Sequence, residues 1–523
     1  MTYSFVNSSD EKFQQVTNSS FQVNAHLLAQ AKAPRLETKT VQPASAQIIT
    51  DHQATTVNNN IIEVKPGQKL LYDLGSLYVG RFSVDCSATG SPMDAPLLLN
   101  VRFAETRQEL DVDASQVKSW LPLSWIQDET LHVDLLPQQL AFPRRYSCRY
   151  ICLEPVGQSL KWQPQFTQPQ FTAESAVLNE QVAPLIQAPS WIQQVDQACV
   201  ATLRNTMQYV FEDGTKRDQR LWVSDFRIQA RVNYVTFHNQ TVPKRCLYLL
   251  GSFLDEDGRL PADVLTRLPQ PVADDLFWFD YDLVFIMALA EYVSATADHD
   301  TAEALYPVAK RVMQFIESQL QADLTVGPRQ DIFVDWSTDF DKEAAVQAQV
   351  IMAVTSLIVL AKTVNDPDIT HYQQLLTRLE TSTRQVYYDA QQHLFTSGPK
   401  QEINPLSQVY MLLTDLLTEP EAQQVIDQLL SRFDLARTLT TPSTQGLLAE
   451  ALFKHGRRKE ALSGIKHYWT GMLKRGADTF WEVYDENDPT YSPYGSILLN
   501  GHCFGWSSYP AYLFRKYQVN GQD

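Results

Sequence analysis

The chain has 523 residues, a formal net charge of −17, 44% hydrophobic residues and 20% charged residues. This composition is typical of a globular protein with room for two or three domains. The strong negative charge disfavours nucleic acid and anionic membranes as partners, because both are themselves negatively charged. A neutral substrate such as a sugar is compatible with this charge.

Few segments indicate a cellular compartment. Residues 1–10 have neither a basic start nor an apolar core, so we expect no secretory signal. The most apolar stretch, 350–361, is about twelve residues long, which is too short to span a bilayer of ~30 Å. The six cysteines are scattered, and only Cys148 and Cys152 lie close together. We therefore expect a cytoplasmic protein with reduced thiols, without a metal site or a cofactor.

Short strand-like segments dominate the chain before about residue 175. Alternating apolar and polar residues, separated by clusters of Gly, Pro, Asp and Ser, occur at 69–74, 81–88, 97–103, 131–136 and 146–155. Such a series predicts an antiparallel β-sandwich over residues 1–175. The polar residues 1–60 are expected to form loops or edge strands of this domain.

After about residue 185, apolar residues recur every three to four positions, which is typical of helices. One stripe of residues spaced by three and four consists of Ile192, Val195, Cys199, Leu203 and Met207. Further helices are predicted at 226–250, 276–295, 302–320, 342–362, 368–388, 404–416, 420–433, 444–455, 458–473 and 501–517. Antiparallel pairs of such helices can close into an α/α barrel over residues 176–523, but a helical solenoid would have the same periodicity.

Four loops combine acidic residues with tryptophan, at 211–225, 271–282, 327–342 and 474–500. Functional side chains often lie on loops held by a rigid scaffold. The first loop contains Asp213, Arg217, Asp218, Trp222 and Asp225. A carboxylate and a guanidinium can bind sugar hydroxyls while an indole stacks on an apolar sugar face. A solvated, ion-paired loop would have the same composition.

The other loops and the chain end supply further candidates. These are Trp278 and Asp280, Asp335 and Trp336, Trp481 and Glu482, and His502, which could instead be a core histidine. Hydrolysis of a glycosidic bond needs one acid to protonate the leaving oxygen and a second carboxylate to attack or to activate water. Two acidic, tryptophan-bearing loops brought together at a barrel mouth would meet this need. The common serine-hydrolase, nucleotide and zinc-protease motifs do not occur.

These residues resemble glycoside hydrolase family 78, the α-L-rhamnosidases. The family signature, close to D-x-P-x-R-E-[KR]-x-G-W-x-G-D, is matched in register by Asp213, Arg217, Asp218, Trp222 and Asp225. A second signature, T-x-W-E, is similar to Thr479, Trp481 and Glu482, and the family's late histidine is similar to His502. The resemblance covers roughly residues 60–520. The departures of this chain from the first signature include Asp218 in place of glutamate, and Leu221 and Ser224 in place of glycines.

The resemblance implies a β-sandwich followed by an (α/α)6 catalytic barrel. It implies an inverting enzyme that releases terminal L-rhamnose from small glycosides, with Asp218 as general acid and Glu482 as general base. Inversion requires carboxyl groups about 6.5–9.5 Å apart. The expected substrate-binding residues are Asp213, Arg217, Trp222, Asp225, Trp278, Asp280, Asp335, Trp336, Trp481 and His502.

Two alternative functions stay open on the sequence alone. One is an (α/α)6 glycosidase that acts on another neutral sugar, and the other is a non-catalytic sugar-binding protein. The departures at Asp218, Leu221 and Ser224 bear on the loop shape and on the leaving group more than on the reaction itself. Compact family members also suggest a homodimer.

Overall fold

The computed structural model describes residues 21–157, 159–268, 270–336 and 339–521. An antiparallel β region ends at Ser175, and a helical region begins at Ser190. This is the predicted order of a β domain followed by a helical domain. Residues 1–20, which were expected to form loops or edge strands, lie outside the described residues.

The β region is organised around one long strand. Its strands are β2 (Glu37–Val41), β3 (Ser45–Thr50), β4 (Gln53–Val57), β5 (Ile62–Glu63), β6 (Gln68–Gly90), β7 (Leu97–Ala104), β8 (Asp128–Val133), β9 (Gln138–Ala141), β10 (Tyr146–Val156) and β11 (Trp162–Ser175). The main path of the sheet runs β2-β11-β6-β10-β7-β8. Strand β6 pairs with β3, β9, β10 and β11, so it joins the whole region together.

The two strands predicted at 69–74 and 81–88 are one continuous strand, β6. Gly75 has a φ of 81°, and the register between β6 and β10 shifts between Cys148 and Tyr150. Such an irregularity bends a strand without ending it. The glycine that indicated a turn in the sequence therefore marks a bend inside β6.

The first described residues do not join the β region. Strand β1 (Gln22–Val23) pairs with β13 (Phe253–Leu254) of the helical region. Helix α1 (Ala25–Gln30) packs against α4 (Thr241–Gly251). The segment 21–30 therefore lies on the helical region, although the sequence placed it in the β domain.

The helical region contains thirteen further α-helices within the described residues. They are α2 (Ser190–Thr206), α3 (Val223–Val235), α4, α5 (Phe279–Thr296), α6 (His299–Gln319), α7 (Glu343–Thr363), α8 (Ile369–Tyr387), α9 (Pro405–Leu413), α10 (Glu419–Arg432), α11 (Leu435–Thr438), α12 (Pro442–Lys454), α13 (Arg458–Lys474) and α14 (Tyr509–Lys516). Short strands connect some of them: β12 (Leu221–Trp222), β14 (Asp263–Leu265), β15 (Val272–Ala273), β16 (Tyr388–Asp389) and β17 (Leu394–Phe395).

The single helix predicted at 226–250 is two helices, α3 and α4. The chain reverses between them, where His238 has a φ of 53°. The Asn233 side chain donates to the Asn239 carbonyl at 2.7 Å and accepts from the Asn239 amide at 3.1 Å. A local side-chain cap therefore ends α3, which hydrophobic spacing does not reveal.

Six helices contact one another in cyclic order: α3 packs on α5, α5 on α7, α7 on α9, α9 on α12, α12 on α14, and α14 on α3. The helices α2, α4, α6, α8, α10 and α13 each pack against members of this set. Helices α5, α7, α9 and α12 are buried nearly all round, whereas α6, α8 and α10 are buried along one stripe. A helix that is apolar all round needs neighbours on every side, so the cyclic set forms the centre of the region.

Helix α7 alone among the described helices is long and apolar enough to cross a membrane. Its most apolar 18-residue window has a mean hydropathy of 2.0, and 72% of that window is buried inside the protein. Because α7 lies among α5, α8 and α9, its apolar surface is already covered by other helices. We interpret α7 as a core helix.

Candidate active site

A cavity of about 500 Å³ lies where loops of the helical region meet the β region. Eight of the predicted site residues line it: Asp213, Arg217, Asp218, Trp222, Asp225, Trp278, Trp336 and Glu482. Other lining residues include Trp120 of the β region and Tyr494. The structure thus brings together side chains from loops that are far apart in the sequence.

The first site loop (residues 213–222) is a tight turn closed by its own side chains. Asp213 Oδ1 accepts a hydrogen bond from the Arg220 amide at 3.0 Å, and Gln219 Nε2 donates to the Thr215 carbonyl at 2.7 Å. Asp218 and Gln219 have φ angles of 60° and 56°. This left-handed backbone is uncommon for residues other than glycine, and it is retained here because the surrounding contacts hold it. The turn presents the Asp218 carboxyl to the cavity.

The second site loop (residues 479–506) holds Glu482 on several sides. The Glu482 amide donates to the Gly501 carbonyl at 2.8 Å, and the Gly501 amide donates to Glu482 Oε2 at 3.3 Å. Trp506 Nε1 donates to the Glu482 carbonyl at 3.1 Å, and the Tyr494 hydroxyl donates to Glu482 Oε1. Because backbone and side chain are both held, the Glu482 carboxyl has one well-defined position.

Arg217 joins the two loops. Its Nη1 donates to Asp218 Oδ2 at 2.8 Å and its Nη2 donates to Glu482 Oε2 at 2.6 Å. Both oxygens bind terminal nitrogens of one planar guanidinium, so they lie within about 8 Å of each other. The Asp218 side chain is 19% exposed and that of Glu482 is 1% exposed. Asp218 is therefore the carboxyl that is more accessible from the open side of the cavity.

Two further carboxyls are buried beside this pair. Burial, followed by the charge of Glu482, raises the pKa of Asp225 to about 8. Burial, followed by the charges of Asp218 and Asp225, raises the pKa of Asp213 well above its ordinary value. Within the described residues, Asp225 Oδ1 has no hydrogen-bond partner. The raised pKa favours the protonated form of Asp225 at neutral pH, and Oδ1 is an unused oxygen that a polar ligand can bind.

Aromatic rings form one wall of the cavity. Trp222 stacks on Trp278, with ring centroids 5.4 Å apart, and Trp278 stacks on Phe333 at 4.9 Å. Trp336 meets the edges of both Phe333 and Tyr494. An apolar wall opposite a group of carboxyls is suited to a sugar, which has hydroxyls on its rim and apolar C–H faces.

Four predicted substrate-binding residues lie outside the cavity lining, and their direct contact with a substrate stays a prediction. Asp280 accepts from the amides of Phe333 and Val334 at 2.9 and 2.8 Å, and burial raises its pKa to about 6. The hydroxyl of Thr441 donates to Asp335 Oδ1 at 2.7 Å. The remaining two are Trp481 and His502, whose rings pack edge to face with centroids 5.1 Å apart. These buried side chains support the loops and the wall from behind.

Two family models match the chain. Residues 37–173 match the glycosyl hydrolase family 78 alpha-rhamnosidase N-terminal domain, and residues 187–497 match the bacterial alpha-L-rhamnosidase 6 hairpin glycosidase domain. The second match alone covers more than half of the chain. The chain belongs to glycoside hydrolase family 78. Membership of this family makes it a glycoside hydrolase, in agreement with the resemblance seen in the sequence.

Solved structures of family 78 share this fold. A rhamnosidase from Klebsiella oxytoca with rhamnose bound is 34% identical, with a TM-score of 0.90 over 95% of this chain and 100% of that chain. The family 78 rhamnosidase of Bacillus sp. GL1 is 20% identical, with a TM-score of 0.72 over 87% of this chain and 47% of that one. The α-L-rhamnosidase of Streptomyces avermitilis is 15% identical, with a TM-score of 0.68 over 92% and 44%. This chain thus spans less than half the length of the last two. No curated protein matches it.

Several residues at the site of this family 78 chain are absent from the sequence-based prediction. Tyr494 lies in a loop that the sequence marked as acidic and tryptophan-rich, but nothing singled out its hydroxyl. Arg220 lies inside the first signature and pairs with Asp274 at 2.9 Å. Trp120 belongs to the β region, and its approach to the cavity depends on how the two regions pack, which local patterns do not record.

Proposed function

We propose that this chain is an inverting α-L-rhamnosidase that releases terminal L-rhamnose from small glycosides. The observation that carries the proposal is the pair Asp218 and Glu482, which face one cavity and share the guanidinium of Arg217. Membership of family 78 and the rhamnose bound to the Klebsiella oxytoca relative support the choice of sugar.

The finer architecture that we propose is a β-sandwich over 1–175 followed by an (α/α)6 barrel over 176–523. Support for the barrel comes from the cyclic contacts of α3, α5, α7, α9, α12 and α14. In an open solenoid each repeat contacts only its neighbours, so the first and last helices would not touch. The contact between α3 and α14 favours the closed form.

In the proposed mechanism Asp218 protonates the glycosidic oxygen as the bond breaks. Glu482 holds a water molecule on the opposite face of the sugar and removes its proton as the water attacks. Such a mechanism needs a separation of about 6.5–9.5 Å between the two carboxyl groups. The accessibility of Asp218 suits contact with a departing group, and the enclosed position of Glu482 suits the alignment of one water.

The remaining lining residues are proposed to bind the sugar. Asp213, Asp225 and Arg217 would bind its hydroxyls, since buried polar atoms in a cavity are strong hydrogen-bonding groups. The rings of Trp222 and Trp278 would contact the C6 methyl group of rhamnose. An apolar wall rejects one additional hydroxyl only modestly, so L-rhamnose over L-mannose is a preference rather than an absolute requirement.

Substitution of the two carboxyls tests the assigned roles. Asp218→Asn and Glu482→Gln should each lower kcat on an aryl rhamnoside by at least about a hundredfold, because general acid and base steps supply ~10²–10⁴. Glu486→Gln is the matched control, since Glu486 lies on the surface of the same loop beside His467. Normal turnover by both site variants would rule out the assignment. A panel of nitrophenyl glycosides, measured on the wild-type protein, compares rhamnose with other neutral sugars.

The stereochemical outcome tests the inverting mechanism. Proton NMR during the first turnovers of an α-L-rhamnoside should show β-L-rhamnose before the free sugar mutarotates. If the α anomer appears first, the enzyme retains configuration and Glu482 cannot act only as a base towards water.

We also propose a cytoplasmic location, a homodimeric assembly, and no nucleic-acid or membrane partner. All six cysteines lie in the described ranges, where each is buried and unpaired, which is compatible with a reducing compartment. Sedimentation equilibrium of the purified protein would measure the assembly, and a mass of one chain would rule out the dimer.

A further inference from the structure

Four ionisable side chains meet behind the cavity, at the boundary between the two regions. Glu105 and Glu109 follow β7 of the β region, Lys216 belongs to the first site loop, and His502 belongs to the second. Their side chains are between 0% and 6% exposed. A charged group that is removed from water in this way needs a partner of opposite sign, so the four must be considered together.

The contacts within this group cross between the regions. Lys216 Nζ donates to Glu109 Oε2 at 3.0 Å and lies 3.2 Å from Glu105 Oε2. The His502 backbone amide donates to Glu105 Oε2 at 2.7 Å, and His502 Nδ1 lies 2.8 Å from Glu109 Oε1. Each glutamate therefore binds both site loops at once.

The partners of the two glutamates are close in the chain to the proposed catalytic residues. Lys216 directly precedes Arg217 and lies two positions before Asp218. His502 directly follows Gly501, whose amide and carbonyl both bind Glu482. A displacement of either partner would therefore be transmitted to the carboxyl that it adjoins.

Electrostatics favours the charged forms of Glu105, Lys216 and His502. Burial acts to raise the pKa of Glu105, but Lys216 and His502 outweigh it and lower the pKa to about 2. Burial acts to lower the pKa values of Lys216 and His502, but the two glutamates outweigh it and raise both. Glu105, Glu109 and His502 have the donor types of a metal site. The ammonium group of Lys216 already supplies a cation to both carboxylates, so a metal is not needed for charge balance.

We propose that Glu105 and Glu109 are positioning residues, through which the β region sets the separation of the general acid and the general base. This proposal rests on the proposed function of Asp218 and Glu482. It assigns to the β region a part in the reaction, in addition to covering one side of the helical region.

The test uses Glu109→Gln and Glu105→Gln in the full chain, with Glu450→Gln as control. Glu450 is an equally buried glutamate that binds Arg231 and Lys516 at 2.6 and 2.8 Å. It belongs to α12 and binds neither site loop. The control therefore measures the effect of losing a buried ion pair within the helical region alone.

For Glu105→Gln and Glu109→Gln we expect kcat to fall by about ten- to a hundredfold, since small misplacements of catalytic groups have effects of this size. The fall should be larger for an alkyl rhamnoside than for a dinitrophenyl rhamnoside, because a poor leaving group depends more on the general acid. KM should change less than threefold. Glu450→Gln should lower Tm with unchanged kcat on both substrates. The proposal would be overturned if the two variants lost kcat equally on both substrates and Glu450→Gln, at a similar Tm, lost as much kcat as they did.

A second measurement does not depend on activity. Crystal structures of Glu109→Gln and the wild type should differ in the relative position of Asp218 and Glu482 by at least about 0.5 Å, the tolerance of a productive site. Unchanged positions of both carboxyls would overturn the proposal even if the variant is less stable. A wild-type protein that hydrolyses no glycoside would instead refute the proposed function, and it would do so before any variant is compared.

Discussion

Burial of the Asp225 carboxyl makes the stability of the fold depend on pH. The pKa of this carboxyl in the folded protein is raised to about 8 from an ordinary value of 3.8, first by burial and then by the charge of Glu482. At a pH between these two pKa values, Asp225 is protonated in the folded chain and ionised in the unfolded chain. The folded state is therefore favoured at low pH, and this contribution is lost progressively as the pH rises from about 4 through about 8.

Asp225→Asn should remove this pH dependence, because the amide is neutral at every pH. We expect the Tm of the variant, relative to wild type, to increase by at least about 3 °C between pH 5 and pH 9. Thermal unfolding of both proteins across this range measures the difference, and all other titrating groups are common to the two. A constant difference in Tm would show that Asp225 does not bind its proton abnormally tightly.

At the residue scale, the sequence was most informative where a signature is continuous. Six cavity residues come from one segment, 213–225, and the matched spacing of the signature identifies five of them together. Tyr494 could not be found in this way, because its role follows from one hydroxyl reaching Glu482 across the loop. Asp280 and Asp335 were assigned to the sugar for their acidity, yet their carboxylates are used by the protein's own backbone and by Thr441.

At the element scale, close approach of two central helices depends on a glycine. A Cβ atom at Gly446 of α12 would overlap the ring of Tyr509 in α14. Gly464 of α13 has no neighbouring heavy atom within 4 Å of the same position. Helix packing therefore requires a glycine at position 446 but not at position 464.

Gly446→Ala should destabilise the protein by about 1–3 kcal/mol, because the ring must move out of a packed core. Gly464→Ala should stabilise it by about 0.5–1 kcal/mol, since alanine favours the helix and meets nothing. Denaturant unfolding of the two variants gives both values. A Gly446→Ala protein as stable as Gly464→Ala would contradict the close contact of α12 and α14.

Helix periodicity predicted most of the helical elements but not their closure into a ring. Hydrophobic spacing is local, whereas the contact that completes the ring includes Arg231 and Tyr509, which are 278 positions apart. The extent of β6 was also underestimated, since a bend at Gly75 and a turn look alike in sequence. Local rules thus give the element type with more certainty than its ends.

At the scale of the whole molecule, a buried ion pair joins the β region to the helical region. Arg145 donates to both oxygens of Glu212, at 2.9 and 2.6 Å, and the side chains are 4% and 3% exposed. Removal of one partner from a buried pair leaves a charge that neither water nor protein compensates.

Arg145→Met should therefore destabilise the protein by about 3–5 kcal/mol, and the double variant Arg145→Met/Glu212→Gln should recover part of this loss. Chemical denaturation of the wild type, both single variants and the double variant gives the coupling energy. Additive effects of the two substitutions would show that the pair does not couple the regions.

The order of the two regions could be predicted from the sequence, but the ion pairs and hydrogen bonds that join the regions could not. The change from alternating to helical spacing near residue 175 is a local signal. By contrast, Glu105 and His502 are 397 positions apart, and the sequence predicted no contact between them. The hydrophobic spacing within one region gives no information about which charged residues of the other region it contacts.

The left-handed backbone at Asp218 favours the shorter of the two acidic side chains at this position. Aspartate and asparagine enter that conformation far more readily than most side chains with a longer stem, because their short polar groups can bond locally. Glutamate, the residue in the family signature, enters that conformation less readily because its stem is longer. Gln219, whose stem is as long as that of glutamate, already has a φ of 56° in this turn, so an exchange for glutamate at position 218 would add backbone strain without requiring a different loop.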